Sequence, residues 1–160
     1  LRLVARLHEE TAVPVPTLVR TFGEHLFRRL AHSFPELLAA YQSVSDFLEH
    51  LEGTIHQEVL KLYPDAELPQ IHFERLGPTQ VAIVYRSTRP FADLAEGLIR
   101  GCAVQYGEMF ELVREDLDGT PGTAARFVYR ACAPTQPSTL VQSVSSTLLR
   151  EGAETCPTPT

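Results

Sequence analysis

The chain has 160 residues, of which 44% are apolar and 21% charged, and a formal net charge of −6. This is the ordinary composition of a globular protein, with enough chain for one domain with a real core. The acidic balance argues against nucleic-acid binding, which calls for a basic face, and no apolar run approaches the roughly 20 residues that span a bilayer.

The chain opens at Leu1 in mid-pattern and without a methionine, so it reads as a piece whose preceding residues are missing. Leu3, Val4 and Leu7 continue a helix that Val13-Pro14-Val15-Pro16 interrupts, because proline removes a backbone donor. From Thr17 to His32, Leu18, Phe22, Leu26, Phe27 and Leu30 recur at helical spacing, until Phe34-Pro35. A short helix over Glu36 to Tyr41 follows. Ser43 or Ser45 then caps a helix running without a break to about Leu62, where Tyr63-Pro64 stops it. Next the period changes. Ile71 and Phe73, then Val81, Ile83 and Tyr85, alternate around Gly77-Pro78-Thr79 and predict a β-hairpin. A helix over about Phe91–Tyr106 presents Phe91, Leu94, Leu98, Cys102 and Tyr106 on one face, and Gly97 and Gly101, a turn apart, allow a close approach. Met109–Leu117 and Ala125–Ala131 are two further strands, with Asp118-Gly119 and Gly122 between them. From Ala133 the chain turns rich in Pro, Thr, Ser and Gln. Residues 133–160 therefore read as a flexible tail or linker, with at most a weak helix over Leu140–Leu149. The fold class is α+β: a helical N-terminal part, then a small antiparallel sheet with one crossing helix, over residues 1–132.

Two features carry chemistry. His56 lies in the long helix, whose core stripe is Val44, Phe47, Leu48, Leu51, Ile55, Val59 and Leu62. At about 100° per residue His56 falls at the edge of that stripe, with Gly53 one turn earlier leaving a shallow spot where a flat group could approach. The plain alternative is a half-buried core-edge histidine. Tyr85, Ser87 and Arg89 form a Y-x-S-x-R pattern at a strand end, where residues two apart share a face. A phenol, a hydroxyl and a guanidinium in a row suit a ligand with one or two carboxylates. The plain alternative is a polar outer face with Arg89 in a surface ion pair. The cysteines Cys102, Cys132 and Cys156 are odd in number and far apart, as reduced thiols in a cytoplasmic protein are, and Cys102 on its apolar helix face reads as packing. No nucleophile elbow, phosphate-binding loop or dinucleotide fingerprint is present, so enzyme readings rank low.

The combination is more specific than its parts. A helical His56 stands seven residues before Tyr63-Pro64. Pro69 follows, then a hairpin ending in Tyr85-x-Ser87-x-Arg89, then a helix with Gly97-Leu98-Ile99-Arg100-Gly101. This resembles the haem–nitric oxide/oxygen binding (H-NOX, or HNOB) family, which includes the haem domain of soluble guanylate cyclase and bacterial stand-alone sensors. The likeness covers about residues 1–131 and is strongest from Phe47 to Gly101.

The resemblance implies haem b (iron protoporphyrin IX) as cofactor, His56 as its axial iron ligand, and Tyr85, Ser87 and Arg89 as holders of the propionates. It also implies that Pro69 presses on the porphyrin, and that nitric oxide or another diatomic gas is the signal. The domain would act on an effector such as a histidine kinase, a cyclic-di-GMP enzyme or a chemotaxis protein. Two departures stand out. The helices that normally open the family domain, and build much of the distal pocket, are missing. Leu94 stands where oxygen-binding members carry a distal tyrosine, which points to nitric oxide rather than oxygen. The competing reading is a haem-free small-molecule module of the related V4R-type fold, which gives no reason to combine His56 with the Tyr-Ser-Arg set. A hydrolase using Arg89 on a carboxylate substrate ranks below both, since no nucleophile–base pair is visible.

Overall fold

Prolines punctuate the first half of the chain. Helix α1 (Arg2–Thr11) ends before Pro14, and α2 (Val15–Ser33) begins with Pro16 in its first turn, where a missing donor costs nothing. Pro35 in turn opens the short α3 (Pro35–Ala39). The computed structural model describes residues 2–117 and 120–132, excepting the side chains of Arg2 and Leu62. The expected Asp118-Gly119 turn and the tail 133–160, with its weak helix, lie outside the described residues.

Helix α4 (Val44–Glu49) is capped as expected by Ser43, whose hydroxyl accepts from the Asp46 backbone N–H at 3.1 Å. A second cap arrives from far along the chain. Glu108 accepts the Val44 N–H at 2.9 Å and, through its other oxygen, the Tyr129 hydroxyl at 2.6 Å. The start of α4 is thereby pinned to the sheet.

The expected unbroken helix to Leu62 is not what forms. After Glu49 comes a π turn, Leu51–Ile55, and only then α5 (His56–Leu62). The Ile55 N–H donates to the His50 carbonyl five residues back at 3.2 Å, and the His56 N–H to that of Leu51. A wide turn of this kind takes in one residue more than an α turn and is common at functional sites. Apolar periodicity alone does not distinguish the two. Helix α5 stops at Tyr63, before Pro64, as expected.

The hairpin β1 (Gln70–Arg75) and β2 (Gln80–Arg86) leads through α6 (Ala92–Gln105) to β3 (Met109–Asp116) and β4 (Ala124–Cys132). All pairs are antiparallel, in the order β1-β2-β4-β3. The last strand thus inserts between β2 and β3. One face of the sheet, with Ile71, Val81, Ile83, Tyr85, Phe127 and Tyr129, is buried in the core.

Helix α6 packs against the sheet and, more extensively, against α2. Glycines make the second contact possible. A Cβ on Gly97 would lie 2.1 Å from the Arg20 carbonyl oxygen, one on Gly23 2.6 Å from that of Leu94, and one on Gly101 2.8 Å from the Phe27 Cβ. The expected close approach at Gly97 and Gly101 is present, and Gly23 is its counterpart on α2. This buries a broader face of α6 than its apolar stripe indicates, including Glu96, which is only 6% exposed. Glu96 keeps its charge company: Arg20 and Arg100 each reach it at 3.0 Å. Arg114 of β3 meets Asp93 at 2.6 Å, so the ion-pair network ties both helices to the sheet.

Candidate functional site

A cavity of about 220 Å³ lies between the π turn and α5 on one side and α6 and the sheet on the other. The first side supplies Leu51, Ile55, His56 and Val59, with Phe47 and Leu48 from α4. Opposite stand Ala95, Leu98, Ile99 and Cys102 of α6 and Ile71, Ile83, Tyr85 and Phe127 of the sheet. Phe27 and Leu30 close it from α2, and Leu68 and Pro69 from the segment leading into β1.

His56 is half-buried on this wall, and among the described residues neither ring nitrogen makes a hydrogen bond. Burial pushes its pKa below the usual imidazole value, against a smaller opposing pull from Glu52. The ring is therefore neutral near pH 7, with a nitrogen lone pair to offer. Sequence spacing put His56 at the stripe's edge. The π turn brings it further round, onto the cavity wall. Gly53 does not contribute the expected gap there: it is exposed, faces open space, and is not part of the cavity wall.

Tyr85, Ser87 and Arg89 do not share one face, as extended chain to the end of the motif would have required. Strand β2 ends at Arg86, and the chain turns away after it. Tyr85 points into the core at 3% exposure and lines the cavity. Its phenol is hydrogen-bonded to the Ser87 side chain and the Phe91 backbone, and burial raises its pKa, so it stays protonated. Ser87 is half-buried and its hydroxyl accepts the Arg89 N–H at 3.2 Å. The three residues are thus linked in sequence from core to surface.

Arg89 is exposed, and its guanidinium grips the Glu67 carboxylate through Nε and Nη2, each at 2.9 Å. This is the surface ion pair of the plain reading. The same guanidinium N–H groups can donate to another carboxylate. Ser87 and Glu67 line a second, more open cleft of about 820 Å³, which shares Leu68 with the apolar cavity. A groove of about 730 Å³ shares Phe27, Leu30, Phe47, Ile55 and Val59 with it on the α3 side. Pockets for ligands of drug size run about 300–1,000 Å³, so a larger group would use the neighbouring space as well.

Leu94 is half-buried on α6 but is not among the cavity's lining residues. Its carbonyl lies against Gly23, and Leu98, one turn on, takes the wall position. Cys102 is 1% exposed, and burial pushes its thiol pKa up, which fits packing and not nucleophilic use. Glu67 and Glu108 escaped sequence reading because neither belongs to a motif. Each acts on a partner more than twenty positions away.

An apolar slot with an unpartnered neutral imidazole, beside a phenol, a hydroxyl and a guanidinium leading to the surface, fits a flat, carboxylate-bearing haem: imidazole can ligate iron and a guanidinium can pair with a carboxylate. Residues 1–114 match the family model described as Haem-NO-binding. The chain belongs to this family. The described H-NOX fold agrees with solved relatives. The Fe(II) unliganded H-NOX protein from K. algicida is 30% identical with a TM-score of 0.78, covering 84% of this chain and 72% of that one. The IWP-051-bound H-NOX from Shewanella woodyi, in the Fe(II)CO state, is 38% identical with a TM-score of 0.70 over 86% and 72%. An H-NOX protein from S. oneidensis in the Fe(II)NO state is 25% identical with a TM-score of 0.75 over 81% and 72%. No protein of curated function matches the sequence. H-NOX domains are haem-based gas sensors. Among the described residues no helix is long and apolar enough to cross a membrane.

Proposed function

We propose that this H-NOX chain is a cytoplasmic nitric oxide sensor that binds haem b through His56 and signals to an effector. That effector is of the histidine kinase, cyclic-di-GMP enzyme or chemotaxis class, and the sensor unit spans residues 1–132. The observation that carries the reading is the neutral, unpartnered imidazole of His56 on an otherwise apolar wall. Bound there, haem would supply an iron able to take a diatomic gas. His56 would ligate that iron. Pro69 sets a rigid edge against the slot. Tyr85, Ser87 and Arg89 would hold its carboxylates, Arg89 being paired with the Glu67 carboxylate without it.

Charge-assisted bonds are worth about 1.5–3 kcal/mol when shielded, and the exposure of Arg89 places it at the low end. Arg89→Ala should therefore weaken haem retention roughly tenfold, and Ser87→Ala by less. Transfer of haem to apomyoglobin measures both. Equal retention in Arg89→Ala and the parent would remove Arg89 from the site.

The walls also choose the gas. Their polar groups are His56, the weakly donating Cys102 thiol, and Tyr85, which this reading assigns to the carboxylates. Leu98 and Ile99 offer no donor, and neither does the nearby Leu94. Holding oxygen calls for such a donor, and holding nitric oxide does not. The test is the visible spectrum of the reduced protein. Nitric oxide should shift it, and air should leave it as it is under argon until slow oxidation sets in. A stable, distinct spectrum in air would overturn the nitric oxide assignment.

A further inference from the structure

We propose that the π turn Leu51–Ile55 holds one stored residue, and that this residue is what aims His56 at the apolar cavity. The importance of the aim rests on the reading of His56 above, but the geometry stands apart from it. In a regular α-helix each residue turns the chain by about 100°, and a single π turn sets everything after it back by one residue. Continued as a regular helix, α4 would place Ile55 on the stripe with Phe47, Leu48 and Leu51, and leave His56 at its edge.

The bonds from Ile55 to His50 and from His56 to Leu51 span five residues, and the set-back has occurred. His56 takes the direction that Ile55 would have held and lines the cavity, while Gln57 and Glu58 face outward. Unwinding the π turn into α would return His56 to the direction Gln57 now has, which is exposed. Little on the outside opposes such a change. Glu52, Gly53 and Thr54 are exposed, and a Cβ on Gly53 would meet nothing within 4 Å. The turn is a positioning element with two registers one residue apart.

Removing a residue tests this directly. If the extra residue is stored, deleting Gly53 converts the π turn to α and leaves His56 aimed as before. In an ordinary helix the same deletion would swing His56 out of the cavity. Inserting an alanine after Gly53 adds a residue the turn has no room for, and turns His56 outward. The full chain, without haem, is treated with diethyl pyrocarbonate, and the rate at each histidine is read by peptide mass spectrometry. His8, His25, His32, His50 and His72 are all exposed and serve as internal references.

We expect His56 to react severalfold more slowly than these in the parent and the deletion chain, and as fast as them in the insertion chain. Amide exchange over residues 51–56 should slow in the deletion chain. A reactive His56 after deletion, a deletion chain that fails to fold by circular dichroism, or a protected His56 after insertion would each overturn the proposal. Because haem is absent throughout, a failure to bind haem would remove the cofactor assignment and leave this result untouched.

Discussion

Replacing His56 by glycine should abolish stable haem binding, and added imidazole should restore it. The other five histidines are exposed and off the cavity wall, so none can substitute. Glycine deletes the ring and opens a space into which free imidazole can enter. Losing an outer-shell partner of a metal ligand typically costs about 10–100-fold in affinity, and losing the ligand itself should cost more. The readout is the Soret band of the purified protein and of protein titrated with haem, with and without imidazole. The fold should survive, because a half-buried ring without hydrogen bonds is a minor contributor to it. A His56→Gly chain that keeps the parent's haem content and spectrum would transfer the ligand role elsewhere.

The second large effect is structural. Gly97→Ala should cost about 3 kcal/mol, the upper part of the usual range for overpacking. Its new methyl would stand 2.1 Å from a backbone oxygen of α2, and backbone cannot step aside as a side chain can. The helices must part, loosening Glu96 from Arg20 and the α2 wall from the cavity. The gain in helix propensity from Gly to Ala, up to about 1 kcal/mol, offsets only part of this. For a domain of this size the melting temperature should fall by roughly 10 °C. Gly77→Ala is the control: a Cβ there meets nothing within 4 Å, and its melting point should stay within a degree or two of the parent. Similar melting points for the two variants would show that the α2–α6 crossing tolerates separation.

Much of the fold was legible in local chemistry. Pro14, Pro16, Pro35 and Pro64 mark helix boundaries, Ser43 caps α4, and alternation around Gly77-Pro78-Thr79 marks the hairpin. Each depends on a residue acting on its immediate neighbours. The His56 and Tyr85-x-Ser87-x-Arg89 pair was legible for a different reason. Neither is informative alone, but their order and spacing, with Pro69 and the α6 glycines, resemble the pattern of the family whose model matches residues 1–114.

By itself, then, the sequence determined the α+β class, most helix and strand boundaries, and the family. The tertiary structure alone decided how the elements are placed. Strand β4 inserts between β2 and β3, because pairing depends on partners far apart in the chain. Glu108 reaches α4 across 64 positions, and Glu67 reaches Arg89 across 22. The helix carrying His56 widens by one residue at Leu51–Ile55, since a period of 3.6 and one slightly longer look alike over so few residues. Glu96 is buried by a glycine crossing whose α2 half, Gly23, stands some seventy positions earlier. Local rules act over a turn or a strand, whereas the aim of His56, the partner of Arg89 and the depth of Glu96 depend on packing between elements that only the folded chain brings together.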